Sequence, residues 1–545
     1  MTSDRIDPGA SVGPNQPSSW LHMLRHSDAV VEERLHGVYG PDESRLEQRR
    51  ATLIRLLDAF LRRHSDSRPV WIVRAPGRLT TLAMHVDHRG GYLNALCLEQ
   101  EVLLVCRARQ DDVVIIDSLQ EEFGSREVKI GDTAPGADLT DTPGWLNWTS
   151  QLAAEREQRG DRHDWVYKVA TPAAYLKYMY RPDQAVRGME AVIIGNVPVG
   201  GGLSSSSAVV VACMEALLAV NDIEIPFEQF AHRCGVAEWY VGTRGGCGDH
   251  AAIKYGRFGH LTHMRTEPEL LMGGHLEFPS SHRFVVFHSG IVANKTGTAG
   301  QMFNEKTATY AIGEMYMRRW LRANRRELFE SLWERRGSNP VDKRVFIADV
   351  VEVVDSDGMY DLLDDVPEQR TRDELRRDWP DDGDLLASYF RTHHEPEVYR
   401  LRDVIAYGLA ACSRARMVKE VLAAGEVDRF AEYMNISHDA DRVSGITDDV
   451  AARKRADDRS APLHLQSGDY HCSIPEIDHM VDKAREAGAI GAQIAGAGLG
   501  GSMIALVPVG AQQQVIDALE GSYETPTGRP PPHFLAEPSS GSCIL

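Results

Sequence analysis

The sequence predicts two domains of mixed strand and helix, and three observations carry that reading. At 545 residues the chain is too long for one compact core. Residues 191–220, AVIIGNVPVGGGLSSSSAVVVACMEALLAV, read as a buried strand, a glycine-rich loop and a long apolar helix. Residues 488–509, GAIGAQIAGAGLGGSMIALVPV, read as strand, glycine turn and strand, with a helix to follow from Ala511 to Leu519.

The remaining elements follow along the chain. MTSDRIDPGASVGPNQPSS is polar and lacks an apolar core, so residues 1–20 read as a disordered tail and not as a secretory signal. Leu46, Leu53, Leu56, Leu57, Phe60 and Leu61 recur at helical steps, which predicts a surface helix packed on the domain. PVWIVRAPGRL predicts a strand that turns at Pro76-Gly77. Two further strands flank a turn at Gln110-Asp111-Asp112. HRFVVFHSG starts a second domain near residue 276, so the expected limits are 21–275 and 276–545. The stretch from 310 to 430 reads as mostly helical, with an acidic, solvated surface at VDSDGMYDLLDDVPEQRTRDEL.

Composition excludes several classes. Hydrophobic residues make up 43% and charged residues 26%, which is ordinary for a soluble globular protein. No run approaches the roughly 18 apolar residues of a membrane helix. A net charge of −19 argues against a general nucleic-acid binder. The eight cysteines are scattered without a CxxC pair, which predicts reduced thiols in the cytoplasm and neither a zinc site nor a disulfide framework. Nothing in the sequence specifies an oligomeric state.

The loop Gly200, Gly201, Gly202, Leu203, Ser204, Ser205, Ser206 and Ser207 is the strongest chemical signal. Glycines let the backbone approach an anion closely. Serines at a helix start add hydroxyls where unpaired N–H groups and the helix dipole favour phosphate. No Gly-Lys-Ser/Thr follows, so it is not a Walker loop. A flexible loop capping a core helix is the plain alternative.

PVGGGLSSSSA resembles the second motif of the GHMP kinases, Pro-x-x-x-Gly-Leu-Ser-Ser-Ser-Ala. RAPGRLTTLAMHVDHRGGY resembles the galactokinase signature Ala-Pro-Gly-Arg-Val-Asn-Leu-Ile-Gly-Glu-His-Thr-Asp-Tyr-Asn-Gly-Gly, and AGAGLGGSMIALV resembles the third GHMP motif. The three stand in the family's order, and weaker likenesses at AEWYVGTRGGCGDH, FNEK, MNISHDADR and CSIPEIDHMV extend the resemblance from about residue 35 to the C-terminus. It implies the two-domain α/β (α+β) GHMP kinase fold with the active site in the interdomain cleft. It also implies ATP and Mg2+ as cofactors and a small sugar as substrate.

The resemblance also implies roles. Asp249 matches the catalytic Asp and Arg78 the arginine beside it, a cation that would keep the carboxylate ionised and offset transition-state charge. A turn Asp and a solvated Arg are the plain alternatives. Glu238, eleven residues before Asp249, matches the magnesium-binding acid and Ser206 the hydroxyl that shares the metal. His85 and Asp87 match sugar-contacting positions, Phe303 stands where a sugar-contacting Tyr is frequent, and Gly498 belongs to a glycine turn near the substrates. Met84 replaces the Glu that holds the hydroxymethyl end of galactose. A site built on a buried polar contact discriminates sharply, so this change predicts a substrate other than plain galactose. Arg89, Arg244 and Lys295 add positive charge and suit an anionic or modified sugar, or equally phosphate and solvent. The expected reaction is phosphoryl transfer from ATP to a sugar, at the anomeric hydroxyl. The competing class is a catalytically inactive sugar and ATP sensor of the same fold.

Overall fold

The structure is a computed structural model, and it describes residues 11–66, 68–82, 84–133, 139, 142–161, 164–180, 183–243, 245–292, 297–334 and 345–545. Arg244 and Lys295 lie outside these residues.

The first sheet uses β1 (Trp71–Leu82), β2 (Leu93–Ala108), β3 (Val113–Ser118), β4 (Ser125–Lys129), β5 (Met189–Gly195), β6 (His260–Arg265) and β7 (Leu271–Glu277). The second uses β8 (His282–His288), β9 (Gly491–Ile494), β10 (Ser502–Pro508) and β11 (His533–Ala536) in the order β11-β8-β10-β9. The short strands β12 (Pro538–Ser539) and β13 (Cys543–Ile544) then return to β2 and β1 of the first sheet. The C-terminal eight residues therefore sit with the first domain, not with the second as the expected 276–545 limit had it. Strand β7 likewise crosses that limit while still paired with β6.

The expected tail is also shorter. Asn15 bridges to Val70, a helix spans Pro17–Arg25, and Trp20 is 1% exposed. An indole among polar residues has apolar surface to bury, and it joins the cluster under the helix Glu43–Arg63.

The expected turn at Pro76-Gly77 is instead a bulge inside β1. Pairing shifts between Pro76 and Arg78, and the Arg78 amide donates to the Leu203 carbonyl at 3.1 Å. Proline has no N–H for a ladder, so its place within a strand is at such an irregularity. The bulge turns β1 toward the glycine-rich loop. Strands β2 and β3 do not pair with each other, because β5 lies between them, antiparallel to β2 and parallel to β3.

The helix Ser205–Asn221 packs its apolar length against this sheet with the helix Val166–Tyr175. Helices between Gly297 and Ala423 form a separate apolar cluster, in which Met359, Tyr360, Leu362 and Leu363 of the acidic stretch bury their apolar face. Leu79, Leu96 and Leu203 from the first sheet and its loop meet Phe284, Phe430 and Ile504 in a shared cluster, so the two sheets are joined by packed side chains.

Candidate active site

The glycine-rich loop leaves β5 and enters the helix Ser205–Asn221 through two left-handed positions, Gly202 at φ +76° and Ser204 at φ +60°. A Cβ on Gly202 would lie 2.4 Å from the Ala495 carbonyl oxygen, and one on Gly496 would lie 2.5 Å from the Gly202 oxygen. The two glycine turns thus touch backbone to backbone. Leu203 is fully buried in the cluster joining the sheets, which pins the loop. Ser205 and Ser206 open the helix, where the first amides have no intrahelical partner.

Gly200, Gly202 and Ser204 through Ser207 line a cavity of about 490 Å3 together with Arg78, Glu238, Asp249, Phe303 and Ala497. Its far wall carries Phe123, Trp165 and Lys168. The Trp165 Nε1–H donates to the Phe123 carbonyl at 2.8 Å, fixing the indole edge against the ring.

At the base of the cavity, Arg78 donates from Nε at 2.9 Å and from Nη2 at 2.7 Å to one oxygen of Asp249, and from Nη1 to the Gly202 carbonyl at 2.6 Å. The Ser204 hydroxyl donates to the other Asp249 oxygen at 2.5 Å. Arg78 is 4% exposed. Strand, phosphate loop and the helix Gly248–Tyr255 therefore converge on one carboxylate.

Glu238 ends the helix Phe227–Glu238 and faces the same space. Its Oε2 accepts from the Ser207 hydroxyl at 3.3 Å and lies 3.2 Å from His250 Nε2, while Oε1 accepts from Lys168 at 3.1 Å. The residue paired with Glu238 is thus Ser207; Ser206 lines the cavity one position earlier. Carboxylate and hydroxyl oxygens suit a hard cation such as Mg2+.

Asp87 lies against the loop that carries Asp249. Cβ atoms on Gly246 and Gly248 would fall 3.0 and 2.5 Å from its Oδ2. Burial raises the Asp87 carboxyl, but the His88 ring at 3.1 Å outweighs that and holds it below its usual value. Met84 and His85 sit elsewhere. Met84 is 5% exposed and its carbonyl accepts from the Tyr407 hydroxyl at 2.7 Å, while the His85 ring stacks on Tyr470 at 4.4 Å. Neither is among the cavity-lining residues, nor are Asp87, Gly201, Leu203 and Gly498. Gly498 instead lets its turn close on Cys472, whose carbonyl a Cβ there would approach to 2.1 Å.

Arg89 is not a cleft cation. It is 2% exposed, lies over the Tyr310 ring, and donates to Glu314 at 3.3 Å and to the Thr307 carbonyl at 2.9 Å. A guanidinium two residues past Asp87 thus points into the helical cluster, toward Glu314 and Thr307.

Sequence reasoning missed Lys168 and His250. The single cation in WVYKVATPAAY, an otherwise apolar helix, is the signal that could have found Lys168.

A glycine-rich loop at a helix start, an arginine-held carboxylate and an acid–hydroxyl pair around one cavity have the chemistry a phosphotransferase uses. Two family models match the chain, GHMP kinases N terminal domain over residues 166–257 and GHMP kinases C terminal over 417–525. The galactokinase of Chloroflexus aurantiacus is 24% identical over 87% of this chain and 94% of its own. That of Candida parapsilosis is 26% identical over 50% of each chain. That of Saccharomyces cerevisiae is 21% identical over 88% of this chain and 92% of its own. The fold is that of the Lactococcus lactis galactokinase solved with galactose, at a TM-score of 0.59 and 19% identity over 90% of this chain and 98% of that one. The chain is similar to the galactokinases and carries the N- and C-terminal GHMP kinase regions in order.

Proposed function

We propose that the chain transfers the γ-phosphoryl group of ATP to the anomeric hydroxyl of a sugar other than plain galactose, giving a sugar 1-phosphate and ADP. The observation that carries the reading is the joint hold of Arg78 and Ser204 on Asp249 beside the phosphate loop.

Asp249 orients the acceptor hydroxyl and takes its proton as the sugar oxygen bonds to the γ-phosphorus and the bond to the ADP oxygen breaks. Arg78 keeps the carboxylate in place and offers positive charge to the transferring group. Amides and hydroxyls from Gly200 through Ser207 hold the phosphates. Glu238 with Ser206 and Ser207 would hold Mg2+, which neutralises phosphate charge when bound. Phe303 and Ala497 border the acceptor end, with Asp87 packed against Gly246 beside them.

Met84 at the family's Glu position supports a substrate other than galactose. With Arg89 paired to Glu314, the case for an anionic sugar loses one of its three cations. Eight unpaired, buried cysteines support a cytoplasmic setting. Among the described residues no helix is long and apolar enough to cross a membrane. ADP release across a panel of neutral, acidic and amino sugars tests the proposal. Turnover with one of them supports a kinase; binding of ATP and sugar without turnover of any supports the sensor instead.

A further inference from the structure

Behind the cavity, three chain segments bring chemically distinct ligand atoms together. His85 follows β1, Asp441 ends the helix Val427–Asp441, and Cys472 precedes the helix Pro475–Glu486. They are 7%, 1% and 0% exposed. One ligand atom from each lies within 4.8 Å of the others, and His85 Nε2 stands 3.8 Å from Asp441 Oδ1.

A second observation points to something held there. Asp441 Oδ1 is buried with no hydrogen-bond partner, and so is the hydroxyl of Tyr470, whose ring stacks on His85. A buried carboxylate oxygen without a partner is costly unless a proton or a cation satisfies it. The backbone around the cluster is already fixed. The Ala440 carbonyl accepts from the Tyr470 and His471 amides at 3.0 Å each, and the Asp441 carbonyl accepts from the Ser473 amide at 2.8 Å. Two of the three ligands are therefore set before any ion arrives.

We propose that His85, Asp441 and Cys472 bind one zinc-class transition-metal ion as a structural site. An imidazole nitrogen, a carboxylate oxygen and a thiolate sulfur form a borderline donor set that suits Zn2+ and not Mg2+. Tetrahedral zinc with bonds of about 2.0–2.3 Å sets its ligand atoms roughly 3.2–3.8 Å apart, so atoms within 4.8 Å of one another need close by no more than about 1.6 Å. With the carboxylate and thiolate ionised, a divalent ion leaves the buried group neutral. The metal would tie the segment after β1, two residues before Asp87, to the end of the helix Val427–Asp441 and to the segment entering the helix Pro475–Glu486. His85 is then a metal ligand and not a sugar contact. The cysteine spacing hides such a site, because its ligands come from three distant segments.

Metal content of tag-free full-length protein tests this, together with the Co2+-substituted protein's absorption. The expected result is about one zinc per chain, a thiolate-to-cobalt charge-transfer band, and at least a tenfold loss of both in Cys472→Ala and Asp441→Asn. Cys247→Ala is the control. Cys247 lies in a second group with His232 and Glu267, and its loss should leave both signals unchanged. Wild-type protein that takes up neither Zn2+ nor Co2+ overturns the proposal without recourse to any variant. So does a charge-transfer band that survives Cys472→Ala or disappears with Cys247→Ala.

Discussion

Arg78 and Asp249 are joined by two hydrogen bonds to a single carboxylate oxygen, at 2.9 and 2.7 Å, and Ser204 holds the other oxygen at 2.5 Å. A carboxylate gripped at both oxygens cannot rotate, so an acceptor hydroxyl meets it in one orientation. Asp249→Asn keeps the shape and removes the proposed base. The expected loss in kcat is about 10²–10⁴-fold, with ATP affinity within about threefold of wild type. Steady-state kinetics with calorimetric ATP binding checks both halves.

Gly202→Ala puts a methyl group against the Ala495 carbonyl at a φ that costs an L-residue about 1–2 kcal/mol even in open space. The two glycine turns must separate. The expected outcome is a KM for ATP raised about tenfold or more and a lower Tm, read by kinetics and thermal melting.

Glu238 and Ser207 form an oxygen pair that lines the cavity. Glu238→Gln keeps the size of the side chain and removes the charge a hard cation needs. Half-saturating Mg2+ should rise about tenfold, with Ser207→Ala giving the smaller shift of the two. A Mg2+ titration of activity at saturating sugar measures this.

His263 and His393 set a pH dependence of stability. His263 lies flat on Tyr92, with Nδ1 2.7 Å from Asn94 Oδ1, and burial followed by the Lys419 charge holds it down at about 4. Burial followed by the Arg372 charge holds His393 at about 4 as well. Both folded values lie below the unfolded value of about 6.5, so the unfolded chain binds the extra protons. Their stabilising effect is complete above pH 6.5 and is lost as pH falls toward 4, by about 1.4 kcal/mol per pH unit for each group at full effect. Denaturant melts between pH 7.5 and 4.5 should show that slope, and His263→Gln should flatten it.

How much of this is legible in the sequence depends on how local the cause is. The strand, loop and helix at 191–220 are readable because strand run, glycines and apolar helix adjoin in one segment. The Glu43–Arg63 helix is readable from its leucine spacing. The bulge at Pro76 is not, because what replaces the turn is the Leu203 carbonyl, 125 residues past the Arg78 amide it accepts from. The return of Cys543 to β1 and the burial of Arg89 on Glu314 are equally long-range. Arg78, Asp249 and Glu238 are legible through family motifs and meet around one cavity. Ser207's contact with Glu238, and the Lys168 ion pair, require the helices to be docked first.

The most direct test of phosphoryl transfer to a sugar is product assignment. Purified protein is incubated with Mg-ATP and the sugar that releases ADP fastest, and the product is analysed by mass spectrometry and phosphorus NMR, with Asp249→Asn run in parallel. The expected result is a sugar 1-phosphate formed in step with ADP by the wild type and absent with the variant. ADP released without any phosphorylated sugar, or equal product from Asp249→Asn, would contradict it.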